Sequence, residues 1–385
     1  MATKKTSKKK TLKKPKLSEA EKVKKEQELI RLVRQKAQAY LRLPNVTSVG
    51  VGYKVKGGKE TGELAIQFTV ARKLSPESLA TEGLTELPKS FVTDDGTVVP
   101  VDVIERSYTS SYRIIADPMT ERIEAEALTS RQTRRVRCDP IMPGISIGHV
   151  DVGAGTFGAV VYDAHNATPY ILSNWHVLNG PTGVIGEQIV QPGALDDGNL
   201  ISNVAGRLVR SHLGLAGDCA VASVIGRGLD STIFERNVIP TRVGVASLGD
   251  KVVKSGRTTG VTFGIVKRVG VVVEINYGPG FERQQVGGFE IAPNPDKPAE
   301  NGEISMRGDS GSVWMVDTQG LDKDVILGLH FGGETDPRPE AEHALACNIH
   351  SVLEKLQVSL RNPSSGPQVA GSVSAGKSRR RRAAK

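Results

Sequence analysis

Leu29, Leu32, Val33, Ala37, Tyr40 and Leu41 recur three or four positions apart, the spacing that gathers side chains on one face of a helix. Ser18 followed by Glu21 has the form of a capping box where that helix should begin, and Pro44 stops it. The pattern predicts a helix over 18–43 whose apolar stripe is packing surface. Beyond it the period falls to two. "VTSVGVGYKV" and "ELAIQFTVAR" flank a Lys-Gly-Gly-Lys turn, and Leu64, Ile66, Phe68 and Val70 alternate as in a half-buried strand. A short helix near Pro76 to Gly83 and the strand "TVVPVDVIE" follow. Residues 18–107 thus read as an N-terminal helix with a small α+β domain. That domain has no cluster of reactive residues, which suits a structural or docking role. Residues 108–137 read as a linker that includes the basic run "RQTRRVR".

From 138 to 357 the pattern changes to short β-rich runs, among them "GAVVYD", "PYILSNW", "CAVASVI", "GIVKRVGVVVEI", "GSVWMV" and "VILGLHF". Gly, Pro, Asn and Asp punctuate them. Many short strands separated by turn signals predict a mainly β sandwich or barrel.

Composition adds limits. The 385 residues suit two or three globular units, and 38% hydrophobic content is enough for a core. No apolar run approaches the roughly 20 residues of a spanning helix, so no membrane partner is expected. The opening "MATKKTSKKKTLKKPK" lacks the apolar segment of a secretory signal. The net charge of +9 is unevenly spread: residues 1–25 carry +9 and the last nine +6, leaving −6 for the 351 between. Residues 1–17 and 358–385 read as disordered basic tails, either solvated or able to hold nucleic acid or another polyanion. Cys138, Cys219 and Cys347 are sparse and odd in number, which predicts a reducing, cytoplasmic setting without a disulfide framework. His343 and His350 flank Cys347 without a fourth ligand, and no phosphate-binding loop is present, so no metal or other cofactor is expected.

"SMRGDSGSVW" holds the candidate nucleophile, Ser310. A serine hydroxyl needs a base, a group orienting that base, and donors for the oxyanion. His176, at the end of the apolar run "YILSNWHVLNG", and Asp218, before the apolar run in "LAGDCAVASV", are the candidates. The order His176, Asp218, Ser310, with gaps of 42 and 92 residues, resembles the chymotrypsin-fold (trypsin-like) serine peptidases over 138–357. "SNWHVL", "GDCAVA" and "GDSGS" resemble their three catalytic segments. "KSGRTTGVTFGIV" resembles the lytic and streptogrisin-type bacterial members, which flank this motif with a disulfide. Here Val253 and Phe263 stand where those cysteines would be, so packing would replace the bridge, in keeping with an intracellular protein. "PIMPGISIGH" and "GTFGAVVYD" resemble bacterial cytosolic trypsin-like peptidases.

The resemblance implies a double six-stranded antiparallel β-barrel with its site in the cleft. It implies a serine endopeptidase acting on protein or peptide substrates through an acyl-enzyme, with Ser310 as nucleophile, His176 as base and Asp218 holding the histidine tautomer. The oxyanion hole would be the N–H groups of Gly308 and Ser310. Support for that loop would come from an Arg257–Asp309 pair, as the bacterial motif implies. In the specificity pocket Ile304 stands where trypsin has its aspartate. Ser305 and His330, in "GLHFGG", resemble the elements with which glutamyl endopeptidases hold a substrate glutamate, which implies cleavage after Glu or Gln. The alternatives are a polyanion-binding adaptor on a peptidase fold, or a latent protease that activates a partner effector by cleavage.

Overall fold

Helix α1 (Glu19–Leu32) starts at the capping box, with Ser18 Oγ accepting the Glu21 N–H at 3.3 Å and Glu21 Oε2 accepting the Ser18 N–H at 2.7 Å. The computed structural model describes residues 18–110, 133–300, 302–334 and 342–363. The 1–17 tail, most of the 358–385 tail and residues 111–132 of the expected linker lie outside the described residues. After Leu32 the helix widens to a π turn at Val33–Ala37 and tightens to a 3-10 turn at Gln38–Arg42. Leu29, Val33, Ala37 and Leu41 are all fully buried along the stripe. Each such aliphatic side chain larger than alanine stabilises the fold by about 1.5–3 kcal/mol.

The stripe packs on β1 (Val46–Lys56) and β2 (Lys59–Val70), the hairpin expected around the Lys-Gly-Gly-Lys turn. Helix α2 (Pro76–Thr81) and strands β3 (Ser90–Val92), β4 (Val98–Glu105) and β5 (Tyr108–Ser110) follow. β4 lies parallel to β2, with Ile66 opposite Val101.

A curled eight-stranded sheet comes next. It holds β6 (Ser146–His149), β7 (Gly155–Thr156), β8 (Ala159–Asp163), β9 (Pro169–Ser173), β10 (Gln188–Val190), β11 (Val204–Gly214) and β12 (Gly217–Ala222), with the short strand Val358–Ser359 as the eighth. Helix α3 (Trp175–Leu178) follows β9.

The second sheet contains β13 (Arg242–Val243), β14 (Lys251–Gly256), β15 (Gly260–Ile275), β16 (Gln284–Pro293), β17 (Val313–Val316), β18 (Val325–Glu334) and β19 (Ala344–Asn348). β14 pairs with both β17 and β15, so six strands close on themselves in the order β14-β17-β18-β19-β16-β15. Closure removes exposed edges, and the two curled sheets form the mainly β, chymotrypsin-like double-barrel class expected from the sequence.

β15 is long enough to serve two neighbours: residues 260–265 pair with β14, while Arg268–Val273 pair with β1. The N-terminal strands therefore extend the second sheet to twelve, and Leu29, Val33 and Phe68 share one core with Val252, Val266 and Trp314. A buried charge cluster crosses the same seam. The Arg268 guanidinium donates to Ser48 Oγ at 3.0 Å and Glu290 Oε2 at 2.9 Å; Tyr108 donates to Glu290 at 2.6 Å, and Arg106 pairs with Glu290. Burial works against Glu290 ionising, yet Arg106 and Arg268 hold its carboxyl well below the usual range.

Two segments differ from the sequence expectation. Val358–Ser359 is no tail but β20, paired with β8; the preceding helix α4 is Ile349–Leu356. Both ends of the expected linker are built in: β5 pairs with β18, and the buried Arg134 donates to Gly144 O and Ser255 Oγ, each at 2.8 Å. Runs this short carry no periodicity, and only their distant partners make them ordered.

Candidate active site

The antiparallel pairing of β9 with β12 sets Ser173 opposite Ala220, which brings the start of α3 to the start of β12. His176 Nδ1 lies 2.5 Å from Asp218 Oδ2, and the His176 N–H donates to Asp218 Oδ1 at 3.2 Å. Asn174, which caps α3, donates from Nδ2 to the Asp218 carbonyl at 2.7 Å. His176 and Asp218 are both buried, so water competes little with this pair.

Tyr277 reaches Asp218 from the second sheet, its hydroxyl donating to Oδ2 at 2.8 Å. It follows β15 and packs edge-on against Trp175, with ring centroids 5.9 Å apart. Burial, and then the Asp218 charge, push its phenol well above the ordinary value, so it stays a donor. Cys347 of β19 accepts the Asp218 N–H on its sulfur at 3.3 Å. Neither role was legible in the sequence, because a tyrosine after a strand and a cysteine within one carry no local signal.

Ser310 lies on the loop before β17, and that loop is tied to both sheets. Thr156 of β7 donates its N–H to the Ser310 carbonyl at 2.7 Å and its hydroxyl to the Gly308 carbonyl at 2.8 Å. On the other side, Gly311 N–H donates to His330 O at 2.9 Å. The Ser310 side chain is buried, and its hydroxyl makes no hydrogen bond. Among the described residues, neither the Gly308 nor the Ser310 N–H donates to a protein acceptor, so both remain available for an anion. Gly308 has φ +94°, and a Cβ there would collide with Arg257 and Thr258, so only glycine fits this turn.

The expected Arg257–Asp309 pair is not formed. Asp309 instead receives five donors: Thr258 and Thr259 N–H at 2.8 and 3.0 Å, Thr259 Oγ1 at 2.5 Å, Met306 N–H at 3.0 Å and Lys254 Nζ at 3.1 Å. Burial opposes its ionisation, but Lys254 and Thr259 outweigh burial and bring it to about 2. Arg257 turns the other way and grips Asp196 with two nitrogens, Nε at 2.7 Å, while its side chain covers Gly308. The reason is geometric. The Thr-Thr turn presents consecutive N–H groups to one carboxylate, and β14 aims Lys254 inward while Arg257 has already passed the strand end. Lys254 stood in the quoted motif; Asp196 had no signal at all.

The pocket positions separate. Ile304 is fully buried in the core that contains Trp314, and Ser305 is half-buried. His330 is fully buried edge-on to Trp314 at 6.3 Å, and neither of its ring nitrogens is hydrogen-bonded, so it does not bond Ser305. Burial, then the nearby Lys254 ammonium, push His330 down to about 3, so the ring is neutral at ordinary pH. Glu342 was missed: its Oε1 accepts the N–H groups of Ile304 and Ser305 at 2.9 and 3.1 Å. Burial, then Glu334 and Glu303, push its carboxyl up to about 9. Arg307 is exposed, and only its carbonyl is used, accepting from Thr258 Oγ1 at 2.7 Å.

No family model and no curated protein matches this chain. Several solved structures do, at low identity. One is a glutamic-acid-specific serine protease that uses a novel histidine triad in substrate binding: 18% identity, TM-score 0.42, covering 57% of this chain and 98% of that one. The Nocardiopsis protease NAPase matches at 17% identity and TM-score 0.42, over 58% of this chain and 99% of its own. Thermobifida fusca Protease A matches at 18% identity and TM-score 0.41, over 57% and 97%.

Proposed function

We propose that this chain is a serine endopeptidase. The observation that carries this reading is the closed His176–Asp218 pair together with an uncommitted Ser310 hydroxyl flanked by two free N–H donors. Ser310 Oγ attacks the scissile carbonyl carbon while its proton passes to His176. The Gly308 and Ser310 N–H groups receive the negative oxygen. The C–N bond then breaks, the proton leaves with the amine, and water releases the acyl group by the same steps in reverse order.

The preferred residue on the acyl side is Glu or Gln. The neutral, unbonded ring of His330 and the hydroxyl of Ser305 suit an amide or carboxyl oxygen.

A fluorophosphonate probe tests the chemistry: labelling of the native chain, lost in Ser310→Ala and at least tenfold slower in His176→Ala, is expected. A chain that never labels while remaining folded would refute the reading. A peptide-library profile tests the pocket, and cleavage only after basic or small apolar residues would sink the Glu or Gln preference.

A further inference from the structure

The Gly332–Glu334 edge of β18 is already occupied. β5 lies antiparallel along it, with Ser110 opposite Gly332, Thr109 opposite Gly333 and Tyr108 opposite Glu334. The same strand is bonded to the nucleophile loop just upstream, since Gly311 N–H donates to His330 O and His330 N–H donates to Ser312 O at 2.8 Å. The occupied edge therefore runs directly away from Ser310.

The edge is shaped for main chain. A Cβ on Gly332 would lie 2.5 Å from the Thr109 carbonyl, so the absence of a side chain there is what lets β5 approach. Gly333 faces the Ser305 hydroxyl, 3.7 Å from where its Cβ would be. β5 is held mainly at its start, by Tyr108 and by Arg106 two residues before it. The Arg106 N–H donates to Val70 O at 2.8 Å, and Arg106 and Tyr108 are pinned by the buried Glu290 carboxylate. Thr109 bonds only its neighbour's carbonyl through its hydroxyl.

We propose that Thr109–Ser110 of β5 is an intramolecular occupant of this edge, which must lift away before an extended polypeptide substrate can pair there. An extended peptide adds to a sheet edge through backbone hydrogen bonds, and one edge accepts one strand. The inference rests on the peptidase reading. Its consequence is selective: polypeptide hydrolysis is held back by β5, whereas acylation of Ser310 by a small reagent that needs no edge is not.

The experiment compares the full native chain with a Thr109→Pro/Ser110→Pro double variant, since proline removes the N–H donors of β5. Hydrolysis of quenched fluorescent casein should rise about tenfold, equivalent to removing about 1.4 kcal/mol of competition. Hydrolysis of p-nitrophenyl acetate and fluorophosphonate labelling should be unchanged. Equal casein rates with equal labelling would overturn the inference and leave the peptidase reading standing. No labelling of either chain would overturn the peptidase reading and this inference with it. Should the variant fail to fold, amide exchange on the native chain decides the matter. A peptidyl phosphonate on Ser310 should speed exchange at 109–110, and a small fluorophosphonate should not; identical protection overturns the proposal.

Discussion

The Tyr277 hydroxyl and the His176 ring meet on one oxygen, Asp218 Oδ2, at 2.8 and 2.5 Å. The two donors come from different sheets, so the carboxylate that orients the histidine is itself oriented across the interface between them.

Tyr277→Phe removes the donor and leaves the ring packing on Trp175 in place. The carboxylate then loses the contact from the second sheet that fixes it against the His176 ring. A hydrogen bond to a charged group is worth about 1.5–3 kcal/mol, so kcat should fall by roughly ten- to a hundredfold, with KM unchanged. A loss of thermal stability with an unchanged kcat would mean that Tyr277 serves packing alone.

Lys254→Met deprives the buried Asp309 of its cation and should cost about 3–5 kcal/mol in urea unfolding, with loss of fluorophosphonate labelling. Asp309 sits at about 2 in the fold against an ordinary 3.8, so its contribution is present above 3.8 and lost as pH falls through 2. Arg257→Ala leaves all five Asp309 donors in place, so the variant should be less stable yet label within a few-fold of the native rate. Equal loss of labelling in both variants would return the supporting role to Arg257.

Glu342→Gln should stabilise the protein only at higher pH. In the fold this carboxyl holds its proton up to about 9 against an ordinary 4.5, so native stability declines as pH rises across that window. The variant keeps an oxygen for the Ile304 and Ser305 N–H groups and loses the slope. A melting temperature raised by several degrees at about pH 8, and unchanged at about pH 5, is expected. A gain at both pH values would point to packing.

Glu290→Gln leaves Arg106 and Arg268 buried without a counter-charge and should cost about 3–5 kcal/mol in denaturant unfolding. Because the native carboxyl lies well below its ordinary 4.5, the native advantage is present above that value and fades on acidification. The two proteins should therefore converge in stability towards low pH, and a constant gap would contradict this.

Period and spacing along the chain were sufficient for whatever depends on neighbours. The stripe from Leu29 to Leu41, the Ser18–Glu21 cap, the Lys-Gly-Gly-Lys hairpin and the β-rich second half were all legible, because each follows from local geometry. The segments holding His176, Asp218 and Ser310 were legible as motifs. Which groups meet was a different matter. Strand pairing across long stretches of chain brings Tyr277 to Asp218, Lys254 to Asp309, Glu342 to Ser305 and β5 to β18. A buried carboxylate takes whichever donors the fold delivers to its site, and an edge strand takes whichever backbone reaches it. Neither choice leaves a trace in the residues on either side, which is why Arg257 was a reasonable partner for Asp309 in the sequence and Lys254 is the partner in the fold.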